Sequence, residues 1–163
     1  MKGYFGNERG FTLMELLIAV AIVVILAGIG VPTYLKFQLS AKHAEANTNL
    51  NGIKQFEESY KLSNGSYIDC AVSPRIVADI SETTFAWTDL GTGFTSIGFA
   101  TNAPVRFAYA VTGSSTTSFL GEAIGDTDGD GNNILFVTGP TDEPRLVRTG
   151  DAVTLGAVTD TSD

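Results

Sequence analysis

The stretch from Phe11 to Val31, FTLMELLIAVAIVVILAGIGV, is twenty-one residues long and holds one charge, Glu15. At about 1.5 Å per residue it makes a helix roughly 31 Å long, the thickness of a bilayer core. A helix that is apolar on every side needs lipid or other helices around it. Overall the 163 residues are 44% hydrophobic and 17% charged. The charged fraction is below the globular average of about 25%. The apolar run accounts for most of that deficit, so the rest has the make-up of one ordinary soluble domain.

Three readings of the run compete. A cleavable secretory signal has a shorter apolar region followed by a small-residue cleavage site. Ala27, Gly28 and Gly30 mimic such a site, but the run before them is long and contains an acid. The second reading is an ordinary membrane anchor. The third is an anchor that later leaves the bilayer and packs against copies of itself. Glu15 favours the third, because an ionisable side chain within a spanning segment marks a functional partner. No other charge in the run can pair with it, so its counter-charge has to come from a chain terminus or another molecule. A cut between Gly10 and Phe11 would leave a new amine on Phe11, one helical turn from Glu15. Held by a neighbouring copy, that amine would neutralise the carboxylate in a dry bundle. A carboxylate near a helix N-terminus also suits the helix dipole. Lys2 and Arg9 flank the run on its N-terminal side, which keeps that end cytoplasmic and exports the C-terminal part of the chain.

The residues RGFTLMELLIAVAIVVILAGIGVPTY resemble the class III signal and first helix of type IV pilins and their pseudopilin relatives. The matching pieces are a short charged leader ending in Gly10, then Phe11, Thr12-Leu13, Glu15, an uninterrupted apolar helix, and Pro32 before Tyr34. The resemblance covers about Asn7 to Tyr34. It implies that a prepilin peptidase removes residues 1–10 on the cytoplasmic side and methylates the amine of Phe11. It also implies that Glu15 is needed for adding subunits to a filament, and that the short leader and Phe11 belong to the type IVa subclass. On this reading 11–34 is the transmembrane and assembly helix, 35–64 its amphipathic continuation, and 65–163 a globular head. The fold class is then α+β, a long N-terminal helix packed on a small antiparallel sheet.

Pro32 lacks the N–H that bonds back one turn, so a kink is expected there, with Gly28 and Gly30 just upstream. Beyond it, Leu39, Ala46, Leu50, Ile53, Phe56 and Tyr60 form a stripe flanked by Lys42, Glu45, Asn49 and Lys54. The stripe is expected to pack on the sheet, with His43 at its edge. Ser63-Asn64-Gly65 supplies the stop. From Tyr67 to about Gly93 the pattern is irregular and corresponds to the pilin αβ-loop, with Trp87 packed against the sheet. FTSIGFA, VRFAYAV, SFLGEAI, ILFVTG and RLVRTG read as strands of an antiparallel meander. In the second, Val105, Phe107, Tyr109 and Val111 give one apolar face. The polar tail DAVTLGAVTDTSD is either an edge strand or loose.

The turn DTDGDGNN sets Asp126, Asp128 and Asp130 at the first, third and fifth positions of an EF-hand-like loop, with Gly131 at the sixth. The twelfth position is Val137 in place of glutamate, and no helix flanks the turn. Calcium binds strand-connecting loops in some pseudopilins, so by resemblance the turn is a calcium candidate. A metal-free acidic turn is the alternative, and the commoner one.

Other chemistry is excluded more readily. After Ser63 there are thirteen Asp/Glu and four Arg, and so acidic a head repels nucleic acid. The one histidine lies on the helix, so a His-based nucleophile is lacking, and there is no P-loop. Glu57 and Glu58 are adjacent on a helix and point different ways, which makes a poor acid–base pair. Cys70, the only cysteine, reads as a small buried side chain. Its lack of a partner departs from many pilins, which staple the C-terminal loop.

The resemblance therefore implies a structural and non-enzymatic subunit, with no cofactor unless the Asp126 turn takes calcium. It is expected to sit first in the inner membrane and then in a retractable surface pilus serving twitching motility and adhesion. Its partners are copies of itself, the prepilin peptidase and the inner-membrane pilus assembly machinery. A major pseudopilin of a type II secretion system is the alternative.

Overall fold

The computed structural model describes residues 10–75 and 80–150. The leader up to Arg9 and the polar tail after Gly150 lie outside the described residues. The chain forms two compact units, Met1–Gln38 and Leu39–Asp163. One helix, α1 (Leu13–Asn64), contributes residues to both.

In the first unit, residues 11–37 are exposed all round. The helix passes through Pro32 without a break. Pro32 has no N–H for the carbonyl one turn back, and next to it the Thr33 hydroxyl donates to Ile29 O at 2.9 Å.

In the second unit α1 buries Ala46, Leu50, Ile53 and Glu57, spaced four, three and four apart. That is one helical stripe, and it corrects the sequence reading at its lower end. Phe56 is one step off the stripe and 41% exposed, with its ring edge-on to Phe99 at 5.9 Å. Glu57 takes the buried position. Fully burying a leucine or isoleucine stabilises by about 1.5–3 kcal/mol, so Leu50 and Ile53 anchor the helix. The polar flank clips it in place. Glu45 accepts from the Arg106 N–H at 2.6 Å and pairs with its guanidinium at 3.1 Å, Asn49 Nδ2 donates to the Tyr109 hydroxyl at 2.8 Å, and Lys54 Nζ donates to Asp142 O at 3.0 Å. Gly65, at φ 83°, ends the helix and donates to Lys61 O at 2.7 Å, as the Ser63-Asn64-Gly65 stop anticipates.

The sheet is an antiparallel meander in chain order, β1 (Cys70–Ser73), β2 (Ala108–Thr112), β3 (Leu120–Gly125), β4 (Asn133–Thr138) and β5 (Arg145–Gly150). β2 to β5 overlap four of the five stretches read as strands, with β2, β3 and β4 each running one residue past its stretch. The fifth does not fit. FTSIGFA overlaps α2 (Gly93–Ile97), closed by Gly98 in the left-handed region. Phe99 N–H bonds to Phe94 O and Gly98 N–H to Thr95 O, a Schellman closure. The buried pair Phe94 and Ile97, three apart, is the helical signal that β-prone Phe, Thr and Ile obscured. β1 lies within the stretch read as irregular. It has four residues, is bulged against β2 and runs into Pro74, so it carries little pattern.

The main core holds Leu50, Ile53, Phe94, Phe107, Tyr109 and Phe136, with Trp87 packed on it as expected. A second cluster of Ala108, Ile124, Leu135 and Val137, with Ile80 against it, fills the opposite face. β2 is therefore buried on both sides, where the alternation with alanines suggested one exposed face.

Candidate functional site

α1 opens with a reciprocal cap. Thr12 precedes the first helical residue and Glu15 stands three positions on, the S/T-x-x-E spacing of a capping box. The Thr12 N–H donates to Glu15 Oε2 at 2.9 Å, and its hydroxyl donates to the same oxygen at 2.8 Å. The Glu15 N–H returns a bond to Thr12 Oγ1 at 3.2 Å. Glu15 thus has two donors within its own chain before any other molecule meets it. The sequence reading weighed only charged partners and missed Thr12, although the spacing was legible. Thr12 solvates the carboxylate without neutralising it, so the need for a counter-charge remains.

Gly10 and Phe11 precede the helix in irregular backbone. Nothing lies within 4 Å of where a Cβ on Gly10 would stand, and Phe11 is 81% exposed. From Leu13 on, α1 has a segment long and apolar enough to cross a membrane. Pro32 lies within the helix, as described above.

The Asp126, Asp128 and Asp130 turn joins β3 to β4. Each residue can bring a carboxylate oxygen within 4.8 Å of the others. Asp126 is buried and the other two are exposed. The turn is shaped by its own amides. Asp126 accepts from Gly129 and Gly131 N–H at 2.8 and 3.2 Å, and Asp130 accepts from Asn132 N–H and Nδ2 at 2.7 and 2.9 Å. Lys42 of α1 reaches it as well, donating to Thr127 O at 2.5 Å and pairing with Glu82 at 2.8 Å. Sequence spacing gave no sign that a helix lysine would sit beside this turn.

Several acidic groups in the head have displaced proton affinity. Burial raises Glu57 above the usual carboxylate range, as do the charges of Asp69 and Glu58, against bonds from Ile68 N–H and the Cys70 thiol. Burial also pushes the Cys70 thiol far up, which makes it unreactive. Asp89 shifts the other way. Burial alone would raise it, but bonds from Thr95, Gly91 and Ser73 hold it low.

The prokaryotic N-terminal methylation motif matches residues 6–31, which include Gly10, Phe11 and Glu15. The type IV major pilin protein PilA of Myxococcus xanthus is 46% identical over 65 residues, 40% of this chain and 30% of that protein. The type IV wide pilus major component PilA4 of Thermus thermophilus is 41% identical over 61 residues, 37% of this chain and 47% of that one. The type IV major pilin protein PilE1 of Neisseria gonorrhoeae is 33% identical over 75 residues, 46% of each. The matched segments span less than half the length of each of these relatives. A methylation motif at the start of a long helix packed on an antiparallel sheet, together with the identity to named pilins, makes this chain similar to the type IV pilins.

Proposed function

We propose that the chain is a structural, non-enzymatic subunit of a type IV pilus. It begins as an inner-membrane precursor spanning through residues 11–34. A prepilin peptidase cuts it between Gly10 and Phe11 and methylates the new amine. The assembly machinery then lifts it into a retractable surface filament, and this serves twitching motility and adhesion. The observation that carries the reading is the capped Glu15 at the start of an exposed apolar helix, within the methylation motif.

In the bilayer, the two Thr12 donors offset part of the cost of a carboxylate near hydrocarbon. In the fibre, the Phe11 amine of an adjacent subunit supplies the counter-charge. Lipid and helix neighbours are equally apolar, so exchanging one for the other gains little. Close packing at Gly28 and Gly30 and the Glu15 pairing therefore set subunit register. A pseudopilin would share this element, but the pilus components among the relatives support the pilus reading. Electron microscopy tests it, because deletion of the chain and Glu15→Ala should each remove long surface filaments, with Glu15→Ala still processed. Normal filaments in Glu15→Ala would refute the role of Glu15, and normal filaments after deletion would refute the function.

A further inference from the structure

The chain contains two Asn-Gly pairs, Asn51-Gly52 and Asn64-Gly65. An asparagine before glycine loses its side-chain amide most readily, because the following backbone nitrogen is unhindered. The fold gives the two pairs opposite surroundings. Asn51-Gly52 lies in the middle of α1, and a Cβ on Gly52 would stand 3.2 Å from the Phe99 ring. The continuous helix there keeps the Gly52 nitrogen away from the Asn51 side chain.

Asn64 is the last residue of α1 and is exposed. Gly65 is exposed too, at φ +83°, with nothing within 4 Å of where a Cβ would stand. Two bonds of the final turn hold the pair, Gly65 N–H to Lys61 O at 2.7 Å and Asn64 Nδ2 to Tyr60 O at 2.9 Å. Terminal turns of this kind open at little cost in free energy.

We propose that Asn64 is a site of spontaneous deamidation in the folded protein, so that a long-lived subunit ages at the end of its helix. In the opened turn the Gly65 nitrogen, losing its proton to water, attacks Asn64 Cγ. The new N–C bond forms as the Cγ–Nδ2 bond breaks, and Nδ2 leaves as ammonia. Water then opens the cyclic imide at either carbonyl, leaving aspartate or its β-linked isomer at position 64. The product loses the donor to Tyr60 O and sets a carboxylate against the carbonyl end of the helix, where negative charge is unfavourable. The Tyr67 hydroxyl, which donates to Glu58 at 2.6 Å and accepts from Lys61 at 3.2 Å, ties this turn to the head, so the change spreads there.

Peptide mapping by mass spectrometry tests the site on the full chain in detergent, aged in mildly alkaline buffer, beside the same chain in denaturant. Conversion is expected at Asn64 and not at Asn51 in the folded chain, and at both in denaturant. Asn64→Gln should lose the folded-state signal completely. Equal conversion at both sites in the folded chain would overturn the proposal. So would an intact Asn64 over the time in which the denatured chain converts.

Discussion

The Thr12 hydroxyl lies 2.8 Å from Glu15 Oε2, so the one charge of the apolar run is solvated by its own chain. Thr12→Ala removes this donor and leaves the backbone N–H bond at 2.9 Å in place. Amide exchange should quicken in the first turn of α1, and filament yield should fall without vanishing. Full piliation together with unchanged exchange would show that the hydroxyl is dispensable.

Glu57 predicts a pH dependence with a definite sign. Its folded-state proton affinity is raised, mainly by burial, so the folded chain holds a proton that the unfolded chain has released. Stability should therefore fall as pH rises from the ordinary glutamate range through the raised folded value. Glu57→Gln removes the ionisation and keeps a carbonyl for the Ile68 N–H. Thermal melts from mildly acid to neutral pH should slope downward in the parent chain and flatten in this variant. Parallel slopes would contradict the assignment. Asp89 acts in a separate window, since its depressed value loses stability only below the ordinary aspartate range.

Gly93 sits directly on β1. A Cβ there would stand 2.6 Å from Cys70 Cα and 2.7 Å from Asp69 O, both backbone atoms that cannot swing aside. Gly93→Ala should cost roughly 1–3 kcal/mol, the range for overpacking. Gly139→Ala meets its nearest neighbour, Asp142 Oδ2, at an ordinary 3.5 Å and should stay within about 0.5 kcal/mol. Chemical denaturation of the pair checks the contrast, and equal losses would contradict it.

The two halves of the chain differ in how far they can be read from sequence. The apolar run, the Glu15 position and the Gly65 stop are local patterns, and the structure keeps each of them. β2 to β5 were legible because β-branched and aromatic runs alternate with turn residues. The failures are tertiary. Burial of Glu57 depends on Ile68 offering an N–H from a loop eleven residues on. α2 depends on Asp89 accepting from the Thr95 N–H and hydroxyl at 2.7 and 2.8 Å. β1 exists because β2 pairs with it. The pairing of Cys70 with Val111 lies far outside any short window, and the other two contacts, eleven and six residues apart, follow no helix or strand period.

The Asp126 turn is tied down by its own amides and by Lys42, and on that account it does not need an ion. Millimolar calcium should leave the melting temperature of the parent chain unchanged, while Lys42→Met should speed amide exchange across 127–132. A melting temperature that rises with calcium would show instead that the three carboxylates act as a cation site.

Intact-mass and N-terminal analysis of filaments sheared from the cell surface reports cleavage, methylation and assembly together. This chain is expected as a filament component, beginning at Phe11 with a methylated amine. Filament protein that retains Met1, or that begins anywhere other than Phe11, would contradict it.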